Sequence, residues 1–208
     1  MLKNKSGVIF YFSYVILGGP VFFDVNKLIG MIAYIMKKMD VASMNYLKLI
    51  KLMYLSDREF INLYDCSISN DEYFSLDKGP ILSRMLNLIR QDTSDALQNV
   101  WDRFFTRSHY DLLMNGCLAY DKIEELSKAE MQVIDSVVEK YGKMDVWPLV
   151  DNVMHKLPEW KDPQGSAIPI HFVDIMKALN KSEKEIAVAL EERRAYEEER
   201  KFCDKVLA

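Results

Sequence analysis

The apolar positions of this chain fall mostly at helical spacing. Asp24 is a suitable N-cap, and Leu28, Ile32, Ile35 and Met39 then recur every three or four residues. Lys37 and Lys38 close that segment, where positive charge suits the helix dipole. A second helix is expected from a Ser43 cap to about Tyr64. Its middle, Leu47, Leu49, Ile50, Leu52, Met53, Tyr54 and Leu55, is apolar on nearly every side, the mark of a helix with neighbours all round. Yet the same helix continues into Ser56, Asp57, Arg58 and Glu59. A charged cluster at the end of a core helix needs a structural or a functional reason.

Residues 65–80 read as a polar loop, with a turn of helix expected over Asp71–Leu76. Gly79 then precedes Pro80, which fits the first position of a helix carrying Ile81, Leu82, Met85, Leu86 and Ile89. Asn115-Gly116 is a two-residue hairpin signal, so a short β-hairpin is expected, Tyr110–Met114 against Cys117–Asp121. Ser127 with Glu130 forms a capping box for a helix that ends at Gly142 as a C′ glycine. A further helix is expected from Asp145 to Leu157, then an extended connector over residues 158–170, a short helix over Ile170–Leu179, and a long last helix opened by Ser182 and Glu185. Beyond Leu190 the apolar stripe gives way to charge, with opposite-sign pairs such as Glu197–Lys201. The pattern predicts a mainly α protein: a single compact helical domain with a small β-hairpin and a charged C-terminal helix. Its divisions are an apolar extension over residues 1–22, the domain over 23–190, and the helical tail over 191–208.

Bulk composition sharpens this picture. Of 208 residues, 50% are hydrophobic and 28% charged, and net charge is −4. A chain this long buries roughly 70% of its unfolded surface and needs neither disulfides nor metal to fold. Cys66, Cys117 and Cys203 are widely spaced and odd in number, which argues for a reducing cytoplasm and against a disulfide framework or zinc ribbon. The acidic balance, with both signs interleaved, argues against nucleic acid as the main partner. In the first twenty residues, Lys3 and Lys5 precede an apolar run from Val8 to Leu17, too short for an ordinary membrane span. Three readings stay open there: a start-site artefact with Val21 as a non-ATG start, a docked terminal segment, or a membrane anchor.

Candidate chemistry is sparse. His109, His155 and His171 show no metal spacing, and no phosphate-binding or nucleophile motif is present. His155 lies one helical turn from Asp151 and reads best as a hydrogen-bonded structural histidine. Lys78-Gly79-Pro80, if it opened a helix, would be a weak anion site. An Asp57 paired with Arg58 would keep its charge and a lowered pKa, which suits an ion pair or a recognition site better than a general base. Among the aromatics, Trp147, Trp160, Tyr73, Phe74 and Phe172 are expected mostly in the core, with a few exposed as partner anchors.

Taken together, LKLIKLMYLSDREF, DEYFSLDKGPILSRML, LSKAEMQVIDSVVEKYG and HKLPEW resemble the Panacea domain, the SocA-like antitoxin family that also includes phage-associated GepA-like proteins. The resemblance runs from about Asp24 to Leu190. The residues that carry it are Lys51 and Tyr54, then Asp57 and Arg58, the Gly79-Pro80 turn after Lys78, the Leu126-Ser127 helix start with Glu130, and His155 with Pro158 and Trp160. It implies a mainly helical, cytoplasmic antitoxin that neutralises a cognate toxin, encoded by an adjacent gene, through direct protein–protein binding. It brings no catalytic residues, no cofactor and no metal. On this reading Lys51, Tyr54, Asp57, Arg58, Lys78, Gly79, Pro80, His155 and Trp160 are the motif and candidate partner-binding positions. Nucleic acid, membrane and small-molecule partners are not expected. Two alternatives stand beside it: an adaptor that delivers the toxin to a cellular protease, and a hydrolase using Asp57 or His155. Asp57 and Arg58 are expected to tie down the 65–80 loop and the Gly79-Pro80 turn.

Overall fold

A computed structural model describes residues 23–207, with side chains left out at a few positions of the last helix. The readings made for residues 1–22, and the Glu197–Lys201 pair, lie outside the described residues.

Helix α1 (Val25–Lys38) begins where Asp24 accepts a hydrogen bond from the Asn26 amide at 2.8 Å, and it ends on Lys37 and Lys38. It is buried on nearly all sides. At Gly30 it comes so close to the 3₁₀ helix Leu118–Glu125 that an added Cβ would stand 2.2 Å from the Lys122 carbonyl oxygen. Lys27 is also buried and pairs with Glu130 at 2.6 Å. Glu130 is the third residue of helix α5 (Lys128–Tyr141) and closes the predicted capping box with Ser127. One carboxylate thus caps α5 and binds α1 to it.

Helix α2 (Tyr46–Tyr64) is the central element. Leu49, Ile50, Leu52, Met53, Tyr54, Phe60 and Ile61 are almost wholly excluded from solvent. Each such side chain stabilises the fold by roughly 1.5–3 kcal/mol relative to exposure. The helix packs against α5, α6 (Val146–Asn152), α7 (Phe172–Ala178) and strand β3 (Gly79–Leu82). Its cap is Asn45, which accepts from the Leu47 and Lys48 amides, and not Ser43. Ser43 instead belongs to strand β1 (Ser43–Asn45).

The β-structure exceeds the single predicted hairpin. One antiparallel sheet has the order β1-β5-β4, with β4 spanning Phe105–Ser108 and β5 Asp111–Met114. Its hairpin turns at His109-Tyr110, and Ser108 faces Asp111. Asn115-Gly116 does not turn the predicted hairpin. After Gly116 the chain enters the 3₁₀ helix that covers α1, so Cys117–Asp121 never returns as a strand. The second sheet has the order β3-β2-β6, with β2 spanning Tyr73–Leu76 and β6 Ile168–Ile170. The expected helical turn over Asp71–Leu76 is therefore strand, and part of the expected connector is strand too. Gly79 and Pro80 open β3 and not a helix, so no helix N-terminus stands there to hold an anion. Neither Asp77 nor Lys78 has positive φ, while Gly79 has φ 91°, the pattern of a type I turn closed by a glycine bulge.

Helix α3 (Ser83–Arg90) follows β3, and α4 (Asp95–Trp101) precedes β4. The predicted 145–157 helix breaks after Asn152 and resumes as a 3₁₀ turn over Met154–Lys156. Gly142 ends α5 as expected but at φ −59°, so its role is not a left-handed cap. Helix α8 (Glu183–Leu207) carries the predicted Ser182–Glu185 reciprocal hydrogen bonds and the charged tail. Lys181 ties its start to Asp65 at the end of α2, at 2.7 Å. The protein is mainly α, with two small antiparallel sheets among the described residues. Among the described residues, no helix is long and apolar enough to cross a membrane.

Candidate functional site

Lys51, Tyr54, Asp57 and Arg58 project from the middle of α2 and reach three parts of the chain, Tyr54 and Arg58 sharing Glu159. Lys51 Nζ donates to the Pro80 carbonyl at 2.7 Å. Burial, with the Lys78 charge nearby, lowers its pKa to about 7. Gly79 is confined here, because a Cβ would stand 2.7 Å from Met154 Cβ. Tyr54 donates to Glu159 Oε1 at 3.0 Å and packs edge-on against Tyr73. Burial pushes its phenol pKa well up, and the Glu159 carboxylate adds to this.

Asp57 does hold the 65–80 loop. It accepts from the Ile68 and Ser69 amides at 3.0 and 2.9 Å, from the Tyr73 hydroxyl at 2.9 Å, and from Ser69 Oγ in a short contact. Its partner is not Arg58. Asp57 is wholly buried, and burial raises its pKa despite these donors, contrary to the lowered value expected from an Asp57–Arg58 pair. Arg58 reaches Glu159 instead, with Nε 2.7 Å from Oε1 and Nη2 3.4 Å from Oε2. The pin on the Gly79-Pro80 turn is Lys51, not the Asp57–Arg58 pair.

A second buried carboxylate completes the network. Asp71 accepts from the Glu72, Arg84 and Met85 amides at 2.7–3.0 Å. It caps α3 from a distance, since Leu82 at the cap position offers no side-chain acceptor. Burial pushes its pKa up to about 7. His155 Nε2 bonds the Asp77 carbonyl at 3.0 Å, its ring stacks on Trp160, and Trp160 Nε1 donates to the Leu76 carbonyl. This is the structural histidine that the sequence predicts. Asp57 binds Tyr73 at the start of β2, His155 binds the Asp77 carbonyl just beyond its end, and the two share no hydrogen-bond partner among the described residues. Burial pushes the Cys66 thiol up to about 12, away from the thiolate form. Among the described residues no cluster could hold a metal ion.

The nine motif positions thus fall into three groups. Lys51, Tyr54, Asp57, Gly79 and Pro80 lie inside the protein, and Arg58, His155 and Trp160 are partly covered and hydrogen-bonded inward. Lys78 alone is exposed. Most of the 65–80 loop is buried as well, from Ser67 to Asp71. In this conformation the motif fastens loops to α2. Glu159, Ser69, Asp71 and Tyr73 complete the network, although the sequence does not single them out as site residues. Glu159 lies within HKLPEW and Asp71 opens DEYFSLDKGP, so the motifs contain them; what marks them is burial, which no local pattern reveals.

The exposed chemistry lies beside this network. A groove of about 680 Å³ opens between the start of α2, the β2–β3 turn, α3, the tip of the β4–β5 hairpin and the start of α6. Ile50, Leu76, Ile81 and Leu86 contribute to its apolar lining. Trp147 and Tyr110 stand at it with 54% and 71% of their surface exposed. Tyr110 stacks on Tyr46 at 6.4 Å between centroids. Lys78 lies 5.2 Å from the Trp147 ring centroid, and Arg107 lies 5.3 Å from that of Tyr46. Exposed aromatics held beside cations, over an apolar floor, have the make-up of a protein-binding surface.

No curated protein and no solved structure matches the chain. A family model, antitoxin SocA-like, Panacea domain, matches residues 49–161. That span is more than half of the chain, and it begins in α2 and ends just beyond Trp160, enclosing the whole network from Lys51 to Glu159. The chain belongs to the SocA-like antitoxin family, the Panacea domain.

Proposed function

We propose that this protein is an antitoxin that neutralises a cognate toxin protein by binding it directly, and that the groove beside Trp147 and Tyr110 is where the toxin docks. Family membership supports the antitoxin role. One observation carries the placement: the other eight motif residues are buried or bonded inward, while Lys78 is exposed and stands with Trp147 and Tyr110 around an apolar floor. Binding of this kind needs surface complementarity and no bond chemistry. A rigid receptor also limits the ordering cost of association, and Lys51, which holds Pro80 beside the β2–β3 turn, and Asp71, which caps α3, fix two of the elements that line the groove.

The test is co-expression. The product of the adjacent open reading frame is expressed alone, then with this protein, and growth is followed while the tagged pair is purified. Relief of toxicity together with a co-purifying complex supports direct neutralisation. Relief with no complex and falling toxin levels supports the adaptor reading instead. A neighbour that is harmless alone and does not co-purify removes this proposal.

A further inference from the structure

We infer that the groove selects an acidic segment of its protein partner, one that places a bulky apolar side chain between flanking carboxylates. This deepens the proposed antitoxin reading and rests on it for the identity of the partner. The argument is charge complementarity. The chain as a whole carries a net charge of −4, so a surface drawn at random from it would be acidic. At the groove the balance inverts. Lys78 and Arg90 line it, and Arg107 stands behind Tyr46. Asp77 is the acidic residue of the lining, and its Oδ1 already accepts from the Gly165 amide at 2.9 Å.

The cations are also poised for a partner. Arg90 is exposed and makes no ion pair among the described residues. Lys78 lies over the face of Trp147 and makes no ion pair among the described residues, so its ammonium can meet a carboxylate. Arg107, outside the lining itself, is exposed, gives Nε to the His109 carbonyl and holds its guanidinium 5.3 Å from the Tyr46 ring centroid. Carboxylates reaching these groups would form charge-assisted bonds at the rim, while the apolar side chain between them enters over Ile50, Ile81 and Leu86. A basic segment would face like charge on each side.

Two measurements test this, and they fail separately. The first needs no toxin. Three fluorescein-labelled dodecapeptides are titrated into the full protein by anisotropy: an Asp/Glu-rich peptide with a central Trp-Leu pair, the same peptide with Lys replacing its acids, and the same peptide with Ala replacing the pair. The acidic peptide should bind at least tenfold tighter than either control. That affinity should fall at least tenfold in Trp147→Ala and in Lys78→Glu/Arg90→Glu, and should weaken between 50 and 300 mM salt. Equal binding of the three peptides, or binding insensitive to these exposed, fold-neutral substitutions, overturns the inference. The second repeats the co-expression with the Lys78→Glu/Arg90→Glu protein, its melting temperature checked first. Lost neutralisation supports the inference. A toxin complex that forms undiminished overturns it and leaves the antitoxin role standing. If the acidic peptide binds as expected while the neighbouring gene product does not, the antitoxin role fails and the groove's preference stands.

Discussion

Asp57 offers the sharpest test of how the 65–80 loop is held. Replacing it with Ala removes the acceptor for four donors. Two of them keep other contacts: Tyr73 remains bonded to Ser67 Oγ, and Ser69 Oγ still accepts from the Asp71 amide. The Ile68 and Ser69 amides lose the acceptor that Asp57 provides, in a buried setting. An unsatisfied buried donor costs about 1–3 kcal/mol. With the Ser69 hydroxyl included, three donors put the loss for Asp57→Ala at about 3–9 kcal/mol, a large part of the ~5–15 kcal/mol of a typical fold. Asp57→Asn should cost less, about 1–2 kcal/mol, because its carbonyl still accepts both amides and its amide group can donate to Tyr73. Burial raises the Asp57 pKa above its unfolded value. The stability this carboxyl contributes is thus fullest below pH ~4 and declines as pH rises toward its folded pKa, whereas the Asn variant has no such decline. The gap between wild type and Asn should narrow over that range. Urea denaturation followed by circular dichroism at several pH values measures all three proteins. An Ala variant within about 1 kcal/mol of wild type, or an Asn variant as unstable as Ala, would refute the account.

The same network gives three further expected outcomes. Lys51 has a folded pKa of about 7, below its ordinary value; the cost of burying its charge is therefore full below pH 7 and relieved as pH rises toward 10.5, so Lys51→Met should flatten a rise in stability of at most about 5 kcal/mol across that window, seen as melting temperature against pH. Arg58→Ala should cost about 3 kcal/mol in chemical denaturation, because the Glu159 carboxylate stays buried with only the Tyr54 hydroxyl; the Arg58→Ala/Glu159→Gln double variant should recover part of this, and a purely additive loss argues against the pairing. Gly79→Ala should lower the melting temperature by several degrees, since it combines a φ of 91° with a Cβ driven onto Met154; an unchanged melting temperature means the turn can relax.

How much of the fold is legible in the sequence depends on the range of the contacts that decide it. Where the determining contacts lie within a few residues, pattern is enough. The Asp24 cap, the Ser127–Glu130 and Ser182–Glu185 pairs, the buried stretch of α2 and the charge of α8 are all local, because helical hydrogen bonds and side-chain periodicity span four residues or fewer. The mainly α class comes from them. Three local signals mislead, each for a long-range reason. Asn115-Gly116 is a good turn, yet the chain beyond Gly116 packs on α1 and does not pair with β5. Pro80 is a good helix start, yet β2 takes it as a strand partner, with Ser75 opposite it. Ser43 is a good cap, yet Leu113 takes it into a sheet.

The sequence by itself determined most of the long helices, though not α4 or the 3₁₀ helix Leu118–Glu125, together with the acidic balance and the family motif. It also showed that α2 carries polar groups that need a reason. Only the tertiary structure decided what those groups do. Asp57 and Arg58 are adjacent in the chain but face different neighbours, and burial withdraws water from both sites so that each must find its own partner: loop amides for one, Glu159 for the other. The groove is likewise a product of assembly. Its lining comes from elements between Asn45 and Ser166, and Trp147, Tyr110 and Lys78 stand around it only because α6, the β4–β5 hairpin and the β2–β3 turn pack around the start of α2.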